Sequence, residues 1–187
     1  MIHHLFKTEK FVPDAHKETI HDIDFEKVKR DGKQILLIDI DNTLISYDDH
    51  LPNARTVSLI EKLKSLGFFI VLVSNNSSKK RVRRFSAPLN LSFVCRAKKP
   101  LKSGFKKALR YYERPVDKKK VLVIGDQMMT DVYGAKRTGL DVILVLPIKK
   151  RTEKWYTRLN RAIENRMLEK IKTRYPEKYT ELKLDKR

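Results

Sequence analysis

The sequence predicts an α/β protein: a doubly wound parallel sheet in three layers, extended by a basic helix at the C-terminal end. Three observations lead there. Short, nearly continuous apolar runs recur between residues 35 and 146, the mark of strands buried on both faces. Segments with apolar residues at helical spacing lie between those runs. The two patterns alternate, and right-handed crossovers of this kind put helices on both faces of one sheet.

The elements follow in order. Ile35-Leu36-Leu37-Ile38-Asp39-Ile40 is a buried strand running into a carboxylate. Residues 53–66 read as a helix with Val57, Leu59, Ile60, Leu63 and Leu66 apolar and Gly67 at its stop. Residues 68–73 form a second buried strand. Ser77 or Ser78 can cap a short basic helix that ends before Pro88. Residues 91–95 make a weaker strand, with Cys95 as a buried strand residue. Then come a helix over 102–112, a strand over 121–124, a helix over 129–138 stopped by Gly139, and a strand over 142–146. After Pro147 the pattern changes to one long basic helix over 152–173, broken near Pro176. Residues 1–34 show no such alternation and are expected as short helices or loops on the sheet edge. The chain thus divides into an edge segment (1–34), a core (35–150) and a basic helical tail (151–187).

Composition bounds the function. The 187 residues can bury a core without staples, and 41% hydrophobic residues are too many for a disordered chain. The single cysteine, Cys95, excludes a disulfide framework and a cysteine-based zinc cluster. No apolar run approaches the roughly 20 residues of a membrane span. Met1 to Lys7 has neither the long apolar core nor the cleavage site of a secretory signal. These features predict a soluble cytoplasmic protein. The formal net charge is +19, balanced over residues 1–34, +13 over 35–150 and +6 over 151–187. That field favours an anionic partner: a phosphate ester, nucleic acid or an acidic membrane surface. A basic balance also serves solubility and by itself chooses no partner.

Ligands of such sheets bind beyond the carboxyl ends of the strands, and three polar clusters fall there. Asp39-Ile40-Asp41-Asn42-Thr43 ends the first strand. Ser74-Asn75-Asn76 ends the second. Gly125-Asp126-Gln127, followed by Asp131, ends the strand over 121–124. Charged groups directly after buried strands are costly unless hydrated, paired or bound to a metal. Asp39 and Asp41, two apart on extended chain, project to the same side. Two such carboxylates can divide labour, one ionised as a nucleophile and one carrying a proton. Their repulsion, with Asp126 and Asp131 added, calls for a counter-charge, and Mg2+ with its all-oxygen coordination is the natural one. Zinc would want ligands this region lacks: His3, His4, His16, His21 and His50 lie far from the clusters in sequence. Any single Asp could instead be a turn residue or a helix cap.

At these residues the sequence resembles the haloacid dehalogenase (HAD) superfamily of aspartate-nucleophile phosphatases. Asp39-x-Asp41-x-Thr43 is similar to its first motif, Ser74 to the second, Lys99 before Pro100 to the third, and Gly125-Asp126-x-x-x-x-Asp131 to the fourth. The fuller strings resemble the bacterial YqeG branch of the capless subclass IIIA. That branch is similar to phosphatidylglycerophosphate phosphatases. The resemblance implies a HAD-like Rossmannoid core in which Asp39 attacks phosphorus and Asp41 works as acid and base. It implies Mg2+ held by the Asp39 side chain, the Asp41 main-chain carbonyl and Asp126, with Asp131 binding directly or through water. It further implies Thr43, Ser74 and the amides of the 41–43 loop on phosphate oxygens, with Lys99 neutralising charge. Two lysines precede Pro100; Lys99 is the one that fits the motif position. Asn42, Asn75 and Asn76, in the same loops, are assigned to substrate.

Many HAD enzymes close over substrate with a cap domain inserted after the first motif or between the second and third. Residues 44–68 are filled by one helix and 75–98 by a helix and a strand, so no cap domain is expected and the site should be open. An open site suits a lipid headgroup, a polynucleotide end or a phosphoprotein. The run Lys79-Lys80-Arg81-Val82-Arg83-Arg84 lies near the site edge, as a recruiting surface or a solvated helix face. In the tail, Trp155, Leu159, Ala162, Ile163, Arg166, Met167 and Ile171 fall near one stripe, flanked by Lys154, Arg158, Arg161, Lys170 and Arg174. Such a helix can lie in a membrane interface or pack on the sheet or a second subunit. The expected function is a Mg2+-dependent phosphomonoesterase acting on phosphatidylglycerophosphate, with peripheral contact to an acidic membrane. The alternatives are a polynucleotide phosphatase, for which stacking aromatics are sparse in the basic run (Phe85 alone), and a non-catalytic anion-binding or assembly protein.

Overall fold

The computed structural model describes residues 7–149 and 155–186, with side chains placed for 7–149 and 163–185. Its centre is one sheet of six strands: β1 (Ala15–Lys17), β2 (Ile35–Ile38), β3 (Phe69–Val73), β4 (Ser92–Val94), β5 (Val121–Gly125) and β6 (Asp141–Val145). They run in the order β1-β6-β5-β2-β3-β4, every neighbouring pair parallel. The helices are α1 (Phe25–Arg30), α2 (Ala54–Ser65), α3 (Lys79–Ser86), α4 (Lys102–Leu109), α5 (Tyr133–Thr138), α6 (Trp155–Arg174) and α7 (Pro176–Glu181).

Alternation along the strands builds the three layers. Ile35, Leu37, Val71, Val73 and Val123 face one way, into a cluster closed by Phe105 and Ala108 of α4, Ala135 of α5, and Met167 and Ile171 of α6. Leu36, Ile38, Ile70, Leu72 and Ile124 face the other way, against Leu59, Ile60 and Leu63 of α2 and Val82 and Phe85 of α3. The strands are apolar on both faces because both faces are covered. Asn53 and Ser78 cap α2 and α3 with their side chains. Gly139 stops α5 at φ 77°, a conformation that costs glycine little.

The register places the site. Ile38 lies opposite Leu72 on one side and Ile124 on the other. The chain leaves β2 for β3 and β4 on one side, and returns to β5 and β6 on the other. The ends of β2 and β5 are therefore the two lips of the crevice at the topological switch. Among the described residues no domain is inserted between β2 and α2, or between β3 and Lys99, where α3 and β4 fill the chain.

Four expectations are corrected. Residues 15–17 form β1, parallel to β6, where only helices and loops were expected; Ala-His-Lys carries no apolar run because an edge strand is made by its backbone pairing. The helix expected over 129–138 opens with a π turn over Met128–Val132, in which Val132 N–H reaches Gln127 O at 3.3 Å. Cys95 is half-buried and follows β4 instead of lying in it. In α6 the covered face is Glu164, Met167, Leu168 and Ile171, while Ile163 and Arg166 of the expected stripe turn outward. Trp155, Leu159, Ala162 and the cations Lys154, Arg158 and Arg161 lie outside the described side chains. Met167, Leu168, Ile171 and Leu184 of the tail pack on the sheet domain, in one cluster with Phe11, Tyr133 and Leu140. The two ends of the chain also meet through polar bonds: His16 Nδ1 lies 3.0 Å from Leu182 O, and Arg174 donates to Thr8 Oγ1 at 3.2 Å. No helix among the described residues is long and apolar enough to cross a membrane.

Candidate active site

Each cluster sits where a buried strand releases the chain. The Asp39 N–H still bonds to Ile124 O at 2.9 Å, so its side chain leaves from the last rung of the ladder between β2 and β5. The Ser74 N–H does the same on Val94 O at 2.9 Å. Asp126 follows β5 directly and is fully buried. Asp131 comes back to the same point through the π turn. Its Oδ2 accepts the Gln127 N–H at 3.1 Å, and its carboxylate packs on Gly125 so closely that a Cβ there would overlap it. Carboxylate oxygens of Asp39, Asp126 and Asp131 lie within 4.8 Å of one another, all three side chains buried.

Lys99 neutralises part of this charge. Its Nζ donates to Asp39 Oδ1 at 2.5 Å and to Asp131 Oδ1 at 2.6 Å, with only 3% of the side chain exposed. The preceding residue, Lys98, is exposed and has φ 54°, so the turn aims one lysine inward and the other out. That separates the two lysines before Pro100. Asn75 fixes the turn: its Oδ1 accepts the Lys99 N–H at 2.7 Å and its Nδ2 donates to Lys99 O at 3.0 Å.

One ammonium shared by two carboxylates does not balance the site. Burial lifts the Asp39 carboxyl to about 7 against the pull of Lys99, with the Asp131 and Asp41 charges adding to the lift. Burial pulls Lys99 down, but the Asp131 and Asp39 carboxylates outweigh it and hold its pKa above the ordinary lysine value. The donor set is all oxygen, clustered and short of positive charge. It fits a hard divalent cation and not a thiolate- or imidazole-seeking one.

The remaining expected residues divide. Asn42 (φ 65°) and Thr43 are buried, and Asn42 Oδ1 and Thr43 Oγ1 have no hydrogen-bond partner among the described residues. The amides of that loop are turned to the loop itself: Asn42 N–H bonds Ile45 O at 2.7 Å and Thr43 N–H bonds Ile40 O at 3.3 Å. Ser74 Oγ lies 3.3 Å from Asp41 Oδ2 and accepts the Asn76 N–H at 3.0 Å. Asn75 and Asn76, assigned to substrate from the sequence, have tasks within the protein. Asn75 clamps Lys99, while Asn76 Oδ1 accepts the Ser78 N–H at 2.9 Å and Nδ2 lies 3.5 Å from Asp41 Oδ2.

Asp41 is not one of the three clustered carboxylates; its side chain meets α3. There Arg81 Nη1 donates to its Oδ1 at 2.5 Å. Arg81 is the residue that sequence reasoning did not single out, because it lies in a run of five cations that read alike. His50, far from the clusters in sequence, joins them through Arg81 Nε at 3.1 Å.

A family model described as "HAD-hyrolase-like" matches residues 96–160. The chain is 37% identical to Probable phosphatase YqeG of Bacillus subtilis (strain 168) over 162 residues, 87% of this chain and 92% of that protein. It is 29% identical to the glyceraldehyde 3-phosphate phosphatase of Pyrococcus abyssi (strain GE5 / Orsay) over 110 residues, 54% of this chain and 44% of that one. The fold is similar to that of a HAD phosphatase from Thermococcus onnurineus, with a TM-score of 0.50 and 17% identity over 66% of this chain and 89% of the other. The carboxylate cluster stands at the switch point of a parallel sheet, and the Bacillus likeness runs nearly end to end. On both grounds the chain belongs to the YqeG family of HAD-type phosphatases.

Proposed function

We propose that this chain, as a capless subclass IIIA enzyme, hydrolyses phosphomonoesters with Mg2+ through an aspartyl-phosphate on Asp39, and that its substrate is the lipid headgroup ester phosphatidylglycerophosphate. The observation that carries the chemistry is the convergence of Asp39, Asp126 and Asp131 around Lys99. Asp39, Asp126, Asp131 and the Asp41 main-chain carbonyl would hold the cation. When bound, it supplies the charge that keeps Asp39 ionised and draws electron density from the phosphoryl oxygens.

This chain's residues do the rest. An Asp39 oxygen attacks phosphorus and the bond from phosphorus to the leaving oxygen breaks. Asp41 gives that oxygen a proton. A water oxygen then attacks phosphorus, Asp41 takes the water's proton, and the bond to Asp39 breaks to release inorganic phosphate. Lys99, Thr43 Oγ1 and Ser74 Oγ stabilise the phosphoryl oxygens.

Three features support a lipid substrate. Among the described residues no cap domain is inserted over the site. Leu51, Leu101 and Ile148 are each about half exposed; Leu101 comes two residues after Lys99, and the Ile148 N–H donates to Asn42 O at 3.1 Å. Exposed Lys79 and Lys80 of α3 and Lys98, next to Lys99, add positive charge. An acidic bilayer would meet both kinds of contact. Phosphate release from phosphatidylglycerophosphate in mixed micelles, from a 3′-phosphorylated oligonucleotide and from glyceraldehyde 3-phosphate, each against an Asp39→Asn control, tests this. The lipid is expected to be the best of the three. Faster release from the oligonucleotide transfers the assignment to nucleic acid ends, and no release from any of them removes the catalytic reading.

The raised Asp39 pKa gives a pH dependence. The folded chain holds this proton more tightly than the unfolded chain, whose carboxyl titrates at its ordinary value of 3.8. The stability Asp39 contributes is therefore complete below that value and is lost as pH rises through about 7. In EDTA, the melting temperature of the wild type should fall more between pH 5 and pH 8 than that of Asp39→Asn. Mg2+ should raise it more at the upper end, where it no longer competes with a proton. Parallel pH profiles for the two proteins would contradict the assignment.

A further inference from the structure

Four of the five cations on α3, Lys79, Lys80, Arg83 and Arg84, are exposed; Arg81 is not. Besides its 2.5 Å bond to Asp41, its Nη2 donates to Tyr47 O and Asp49 O, both at 2.9 Å, and its Nε faces His50 Nδ1 at 3.1 Å. The guanidinium lies 5.3 Å from the centre of the Tyr47 ring. The path from β3 to this group is braced at each step. Asn76 N–H bonds Ser74 Oγ, Ser78 N–H bonds Asn76 Oδ1, and Arg81 N–H bonds Ser78 Oγ. Among the described residues, Asp41 Oδ2 has the longer contacts at 3.3 and 3.5 Å from Ser74 and Asn76. The short charge-assisted bond from Arg81 is thus the strongest of these restraints on the Asp41 carboxylate.

We infer that Arg81 is a positioning residue of the reaction: it ties Asp41 and the 47–50 loop to α3, and so fixes the carboxylate that passes protons to the leaving group. The task suits arginine. Its planar fork serves a carboxylate, two carbonyls and a ring nitrogen at once, which a point-like ammonium cannot. The inference rests on the proposed role of Asp41 as proton donor.

A displaced proton donor has a recognisable signature. A basic leaving group must be protonated as its bond to phosphorus breaks, whereas a weakly basic one departs as the anion. Loss of Arg81 should therefore penalise esters in proportion to the basicity of what leaves. A loss of general stability, or of a substrate-binding cation, would penalise them alike or raise KM throughout.

The test is kcat and KM with Mg2+ for aryl phosphates, from 2,4-dinitrophenyl to unsubstituted phenyl phosphate. The proteins compared are the wild type, Arg81→Gln, Arg81→Lys and Asp41→Asn. Arg81→Gln is expected to lose about 100-fold in kcat on phenyl phosphate and less than about fivefold on the dinitrophenyl ester, with KM little changed. Arg81→Lys should recover part of the loss. Equal losses on all esters, no loss, or a uniform rise in KM overturns the inference. If Arg81→Gln does not fold, an Arg81→Lys protein with the wild-type dependence on leaving group overturns it instead. Asp41→Asn separates the two readings. Without leaving-group dependence in that variant, the role of Asp41 falls and the inference with it. With it there but absent in the Arg81 variants, only the role of Arg81 fails.

Discussion

Asp39→Asn is expected to reduce phosphate release by at least about a thousandfold while the protein stays folded. The amide keeps the shape of the carboxylate but cannot form the acyl phosphate, so the loss should fall on kcat. The fold should tolerate the change because the site already carries more negative charge than Lys99 balances. Removing one buried carboxylate relieves Asp131 and leaves Lys99 paired with it at 2.6 Å. In EDTA at pH 8 the variant should melt no lower than the wild type. Phosphate release and a melting curve on the same preparation decide the matter. Activity within tenfold of the wild type would remove Asp39 as nucleophile.

Lys99→Met should have the opposite balance of effects. Methionine fills much of the volume of the lysine stem, but the ammonium that bridges Asp39 and Asp131 is gone. Breaking a buried ion pair by removing one partner costs about 3–5 kcal/mol, because the charge left behind stays buried. Here two carboxylates are left, with Asp126 close by. In EDTA the fold should lose stability by about that amount at pH 8, and less at pH 5, where Asp39 is neutral. Mg2+ should restore a larger share in this variant than in the wild type, since it takes over the counter-charge that the Lys99 ammonium supplied to the cluster. Urea unfolding at the two pH values, with and without Mg2+, measures all three effects. A variant as stable as the wild type at pH 8 in EDTA would show that Lys99 does not carry this charge.

The parts of the site that could be read in the sequence are those where a local pattern has a physical cause. Apolar runs such as 35–38 and 121–124 mark strands covered on both sides, and the residues just after them, Asp39 and Asp126, stand at the sheet edge by construction. Ser74 and Lys99 were legible through motif order. Parts that depend on a partner remote in sequence left no local mark. Arg81 differs from Arg83 and Arg84 only in which way α3 turns it. Asn75 is one polar loop residue among several, and nothing local says that its amide brackets the backbone of Lys99, 24 positions away. β1 is three residues paired on one side. The face of α6 was misplaced for a related reason. A stripe can be counted from spacing, but which residues it centres on is set by Phe11 and Tyr133, far off in the chain.

The joining of the two ends also bears on how the protein is made. Translation completes all six strands by residue 145, yet the apolar surface formed by Phe11, Tyr133 and Leu140 receives its last cover from Met167, Leu168, Ile171 and Leu184. At about 5–20 residues per second, a nascent chain displays that bare surface for seconds before its cover leaves the ribosome. A chain cut after residue 150 keeps all six strands but lacks that cover, and should therefore present a sheet with a sticky flank, a ready target for a holdase.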